Sequence, residues 1–259
     1  MKTIVGATLL AWASLAWGQR PADKDTAALL ARTRQKAREY TQSLPDFLAT
    51  ELIHRYAGSL EDGFGGHPVD TLTVHLRYFQ HKEEHKLVLI DGKPADRSFE
   101  TLEGTLGSGE FETTLGAIFD PASETAFHWK SWKTVHGRRI GVVDYEVGPH
   151  SRYHLRSLVD GRTMGANVGY HGLLEIDAET GEVLHFEYGA DHIPEALHLR
   201  SADTTVDYTF FDIGGTKYLL PSRCRADMSS LDGWARNVID FREYRKFAAD
   251  SSIEFGPAK

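Results

Sequence analysis

Thr71-Leu72-Thr73-Val74-His75-Leu76-Arg77-Tyr78 alternates polar and apolar side chains without a break. A period of two puts Leu72, Val74, Leu76 and Tyr78 on one face of a strand and Thr71, Thr73, His75 and Arg77 on the other. One face buried and one face wet is the pattern of antiparallel sheet. The same texture continues downstream. Residues 86–90 form a second strand, ended by a turn at Asp91-Gly92 and Pro94. Residues 127–135 and 138–147 flank His136-Gly137 as a tight hairpin. Residues 168–177 and 182–188 flank Ala178-Glu179-Thr180-Gly181, and 204–212 and 216–227 flank Ile213-Gly214-Gly215. Residues 235–245 close the series. The helices that parallel βαβ units require are missing between these strands, so the sheet is antiparallel.

Two helices accompany it. Asp25 caps a helix starting at Thr26, with Leu30, Ala37, Thr41 and Leu44 at heptad-like spacing and Pro45 as its stop. Residues 98–109 are loop-like, with three glycines, and 110–119 place Phe111, Leu115, Ile118 and Phe119 on one helical face before Pro121. A loop crossing is expected near 193–199. Several strands carry apolar weight on both faces. Leu184, Phe186 and Tyr188 share a side; Phe127 and Trp129 share another, with Trp132 opposite. A single layer with water on one face would alternate more cleanly. The expected class is α+β, mostly β: a strongly curved antiparallel sheet, an incomplete β-barrel, with the N-terminal helix and the short inserted helix covering its concave face. A closed barrel or a sandwich is the alternative. Residues 19–259 show no repeat, low-complexity tract or linker, and are read as one domain.

Residues 1–18 read as a cleavable signal peptide. Lys2 gives the positive start, 4–17 carry no charge, and Ala16-Trp17-Gly18 places small residues for cleavage after Gly18. The apolar run is shorter than the ~20 residues of a membrane span. No cysteine near it offers a lipid attachment point. The expectation is a soluble periplasmic or secreted protein. Removing the segment takes one lysine from 29 Lys and Arg, against 37 Asp and Glu, and leaves a net charge of −9. Such an acidic chain disfavours nucleic acid as a partner. The single cysteine, Cys224, has no disulfide partner in the chain; the alternation turns Arg223 and Arg225 away from it, so it reads as a buried, inert thiol.

His81-Lys82-Glu83-Glu84-His85 matches the H-x-x-E-H pattern, in which a helix brings two imidazoles to one zinc. Here strand-like residues flank it, and it reads as a charged hairpin turn. The acid pairs Glu83-Glu84 and Asp177 with Glu179 read as solvated turn residues. G-x-S-x-G, P-loop and G-x-G-x-x-G patterns are absent from the sequence. No catalytic residue, metal site or cofactor is therefore expected; a hydrolase with an unplaced acid pair stays as an alternative. The residues that stand out are aromatic: Phe127, Trp129, Phe186, Tyr188, Tyr208 and Phe210. They are candidates for lining a ligand groove, since pockets are mostly apolar and aromatic. The plainer reading is core packing.

The stretch from Tyr170 to Leu184, with Glu175-Ile176-Asp177-Ala178-Glu179-Thr180-Gly181 at its centre, resembles a strand–turn–strand segment of the periplasmic lipoprotein-localisation superfamily, the LolA, LolB and RseB-like half-barrels. The likeness continues through 206–211 and 218–222. The chain is also similar to secreted bacterial proteins carrying Tyr40-Thr41-x-x-Leu44-Pro45-Asp46-Phe47 before the first strand. The resemblance implies an incomplete barrel with helices inside its concave face and an apolar cavity for acyl chains. It implies a lipid, an acyl chain or a lipidated envelope protein as partner. An envelope sensor that binds protein without lipid is the competing expectation.

Overall fold

The alternating octapeptide forms the centre of β2 (His67–Phe79). Leu72, Val74 and Leu76 are fully buried and Tyr78 nearly so, while His75 and Arg77 reach outward. The computed structural model describes residues 24–61, 66–99, 102, 113–151, 153–159 and 161–247. The proposed signal peptide and Phe111 lie outside the described residues, as does most of the 98–109 loop. Chain order runs α1 (Lys24–Ser43), β1 (Phe47–Gly58), β2, β3 (Lys82–Ile90), β4 (Lys93–Pro94), α2 (Thr113–Phe119), β5 (Ala126–Val135) and β6 (Arg138–Val147). It continues through β7 (His154–Val159), β8 (Arg162–Asn167), β9 (Gly169–Asp177), β10 (Val183–Asp191), β11 (Leu199–Ile213), β12 (Thr216–Ser230) and β13 (Trp234–Lys246).

Eleven strands form one sheet in the order β4-β3-β2-β1-β13-β12-β11-β10-β9-β6-β5. Every neighbouring pair is antiparallel. The order is a meander whose last strand returns to the first: Ile53 pairs with Ile239. The sheet stays open between β4 and β5, and residues 95–125, carrying α2, bridge the two edges in sequence. It is neither a closed barrel nor a sandwich. One core fills the concave side, joining Leu29, Ala37 and Leu44 of the α1 region, Leu115, Ile118 and Phe119 of α2, and residues from β1 to β13. The expected half-barrel with helices in its hollow is the architecture observed.

Local details differ from the sequence reading, each for a physical reason. α1 already includes Lys24, so Asp25 sits in its first turn, where a carboxylate favours the positive helix end. Its inner stripe is Thr26, Leu29, Thr33 and Ala37, with Leu44 buried just past its end, rather than a heptad seam through Leu30, which is only half-buried; the side chain of Thr41 lies outside the described ones. Thr33 tolerates burial because its hydroxyl donates to Leu29 O at 3.0 Å. Bulges reverse two side-chain directions. A register shift between Trp129 and Ser131 brings Trp132 to the side of Trp129, with ring centroids 4.6 Å apart. A second shift, between Val183 and His185, sends Val183 and Phe186 into the core and leaves Leu184 out of it. The 81–85 turn is shorter than expected: Gln80 and His81 make it, and Glu83-Glu84 belong to β3. The β7–β8 hairpin, which the sequence reading passed over, forms a separate two-stranded sheet.

Candidate ligand-binding cleft

The turn between β9 and β10 shows how local sequence builds one wall. Asp177 is not solvated; it is 1% exposed. Its Oδ1 accepts from Glu179 N and Thr180 N, each at 2.9 Å, and its Oδ2 pairs with Arg138 Nε at 2.8 Å. This is an Asx turn, in which the carboxylate replaces missing backbone partners. Gly181 closes it at φ +79, a conformation that favours glycine. The missing side chain also leaves room for Arg32 of α1, whose Cγ would stand 2.7 Å from a Cβ there. Arg32 in turn donates to Ala178 O at 3.2 Å. The Asp-x-x-Thr-Gly motif thus seats α1 on the sheet.

Beside this seat lies a cleft of about 310 Å³ between the second half of α1, the β9–β10 turn and the facing ends of β11 and β12. Ala37, Leu44, Leu115, Val183, Tyr208 and Leu219 give it apolar walls, and Tyr40 and Phe210 add aromatic surface. Lys36, Glu39, Glu182 and Lys217 supply charge at the same place. Lys36 Nζ lies 3.5 Å from Glu39 Oε2. The hydrogen bond from Gln35 holds the Glu39 carboxyl below its ordinary pKa, against burial and together with Lys36. One carboxylate oxygen of Glu182 is buried without a hydrogen-bond partner among the described residues.

The six aromatic candidates do not share one site. Tyr208 and Phe210 line the cleft. Phe186 is fully buried, stacked between Tyr188 at 5.6 Å and Tyr208 at 6.0 Å. The row continues inward from Tyr188 to Tyr170 at 6.2 Å and Tyr145 at 6.1 Å beyond, and outward from Tyr208 to Tyr40 of α1 at 6.3 Å. Phe127 stacks on Phe119 of α2 at 5.4 Å, and Trp129 packs with Trp132. Burial pushes the hydroxyls of Tyr153 and Tyr170 up to about 12 and that of Tyr145 well above its ordinary range, so these stay neutral packing groups.

No family model matches the sequence, and no curated protein matches it. The solved structures to which the chain is similar include the following two. One is a LolA superfamily protein from Nitrosomonas europaea, 11% identical, covering 86% of this chain and 93% of that one, with a TM-score of 0.44. The other is a DUF1329 family protein from Desulfovibrio piger, 13% identical, covering 88% and 97%, with a TM-score of 0.46.

The histidine motif disperses in the fold. Strand alternation sends Glu84 to Arg77 and His85 to the concave side. His81 Nδ1 meets Tyr78 Oη at 3.2 Å. Among the described residues no group of three or more His, Cys, Asp or Glu is placed to hold a metal ion. A buried polar pair that no sequence pattern marks stands here instead: Glu51, 3% exposed, meets His85 Nε2 at 3.3 Å, and the His85 ring stacks on Phe99 at 5.3 Å. The charged cleft residues Lys36, Glu182 and Lys217 are likewise unmarked. Tyr40 and Leu44 had a signal, the Tyr-x-x-x-Leu-Pro pattern at the end of the first helix.

Proposed function

We propose that this is an exported, non-catalytic binding protein that takes an acyl chain of a lipid or lipidated partner in the α1 cleft. The observation that carries this is the cleft's composition: an apolar and aromatic lining with charge beside it, at a volume near the lower end of small-ligand pockets, roughly 300–1,000 Å³. Such a lining suits an amphipathic ligand. Each buried methylene contributes ~0.8 kcal/mol before ordering costs, so binding needs no reactive group. Export rests on the signal-peptide pattern of residues 1–18, and it places the activity in the periplasm or outside the cell.

Lipid extraction and native mass spectrometry of the purified protein, with titration of a fluorescent fatty acid, test this reading. The expected result is one bound acyl ligand and saturable uptake. Leu219→Trp, which fills the cleft from a half-buried position, reduces that uptake by about tenfold or more. No acyl ligand together with no uptake overturns the proposal.

A second reading, an envelope sensor or protein-interaction module without lipid, has its own support. Most of the concave face is solid: Leu29, Ile118, Leu174, Ile176 and Phe186 are fully buried there. Specific capture of an envelope protein by a chain that takes up no fatty acid favours that reading.

A further inference from the structure

Among the described residues, β7 and β8 pair only with each other. Their register sets Leu155 opposite Ala166 and Ser157 opposite Met164. This face packs at its base on a second core cluster, where Leu155, Val168, Leu197 and Ala202 are buried. Ser157 Oγ donates to Leu197 O at 2.7 Å and ties the hairpin to the 195–198 turn. Leu158, opposite Thr163, faces the other way. It is 69% exposed, more than any other large apolar side chain among the described residues, and Met164 near the tip is 39% exposed.

A lone exposed leucine is ordinary. The charge beside this one is not. Arg156 shares its face and Arg162 follows the turn; both are exposed, and neither forms an ion pair among the described residues. From 150 to 168 the sequence holds Arg152, Arg156 and Arg162 against Asp160 alone, in a chain of formal net charge −8. Leu60 and Leu231 are exposed at the same end of the sheet, but they adjoin Glu61 and Asp232. Charge therefore singles out the hairpin from the rest of that rim.

We propose that the β7–β8 hairpin docks the protein reversibly on an anionic lipid bilayer. The hairpin enters edge-on, which uses both faces: Leu158 and Met164 reach the headgroup region while Arg156 and Arg162 lie against lipid phosphates. Apolar burial and attraction to anionic lipid add in such contacts. The attraction acts within about 8 Å at physiological salt, so the acidic bulk of the chain behind the finger does not cancel it. The hairpin is separate from the α1 cleft, and this docking holds whether or not the cleft takes an acyl chain.

Flotation with phosphatidylcholine vesicles, and with equimolar phosphatidylcholine and phosphatidylglycerol vesicles, tests the proposal. The purified protein is expected to float with the anionic vesicles only, and to be released by high salt. Arg156→Ala with Arg162→Ala weakens binding by roughly 25-fold, from about fivefold per arginine at an anionic surface. Leu158→Ser weakens it by about tenfold. These side chains are exposed, so unchanged thermal unfolding confirms that the variants are folded. Equal binding to neutral vesicles, no binding to either, or indifference to the arginine pair overturns the proposal. So does a dimer that Leu158→Ser dissolves, which would assign the surface to a second copy.

Discussion

His185 bridges two carboxylates on the sheet face opposite Phe186: its Nδ1 lies 2.6 Å from Asp207 Oδ1 and its Nε2 3.0 Å from Glu187 Oε1. Burial lowers the imidazole pKa, but the two hydrogen bonds outweigh it and leave His185 above its ordinary value near 6.5. The His185 hydrogen bond, against burial, holds the Asp207 carboxyl below its ordinary 3.8. The signs follow by linkage. The His185 contribution is complete below about pH 6.5 and is lost as pH rises through its raised folded value. The Asp207 contribution is present above about pH 4 and is lost as pH falls through its lowered folded value. Asp207→Asn is therefore expected to lower the His185 titration midpoint in NMR and to destabilise the fold between about pH 4 and 6.5. Above the His185 transition the loss should shrink, because the imidazole is then neutral, while the attraction of Arg223 for the Asp207 carboxylate is still removed. An unmoved midpoint would show that the bridge carries no charge.

Gly172 sits where β9 passes β10. A Cβ there would overlap Glu187 O, which also accepts the Tyr145 hydroxyl at 2.9 Å. The obstacle is backbone and cannot swing aside. Gly172→Ala should lower unfolding free energy by about 3 kcal/mol, the upper part of the usual overpacking range. Gly148 has nothing within 4 Å of the same position, so Gly148→Ala should stay within about 0.5 kcal/mol of the parent. Urea unfolding of the two variants gives the comparison, and equal effects would refute the crowding at Gly172.

Local pattern carried the sheet. The octapeptide from Thr71 is legible because one face is buried and the other wet, and Leu115, Ile118 and Phe119 mark α2 through their helical spacing. The stripe of α1 is harder, since Thr26 and Thr33 take inward positions that composition assigns to apolar residues. Bulges leave no mark in composition, yet one extra residue flips every later side chain. That is why alternation alone puts Trp132 and Leu184 on the wrong sides. The β7–β8 hairpin hides because Ser157 and Arg162 break its inner apolar row. The cleft is a long-range product: residues 33–44 meet residues 181–219 only after the sheet has curled.

Phe186 and Phe210 looked alike in sequence and occupy opposite roles. Phe186 is fully buried between two rings, while Phe210 is 41% exposed at the cleft. Phe186→Ala should cost about 3–5 kcal/mol by leaving a cavity. Phe210→Ala should cost no more than about 0.5 kcal/mol, yet weaken fatty-acid uptake. Denaturant curves and uptake titrations on the same two variants separate packing from binding. Loss of uptake at Phe186 alone, with Phe210 silent, would place the ligand in the core and not in the cleft.

Glu51 is the sharpest conflict between local pattern and tertiary placement. Its strand partners are Val74 and Phe241, and Phe47, Ala49 and Ile53 share its face of β1. A carboxylate at 3% exposure in that company needs a partner, and His85 supplies one at 3.3 Å. Glu51→Ala removes the group that this imidazole nitrogen meets and leaves a void beside it. The expected loss is about 3 kcal/mol, because stripping one member of a buried pair leaves the other desolvated. Glu51→Gln keeps shape and a hydrogen-bonding head, and should cost about 1 kcal/mol. Urea unfolding gives the two values, and the His85 ring resonances should shift in both variants. If alanine is no worse than glutamine, the pair is an accident of packing and does not hold the β1–β3 face together.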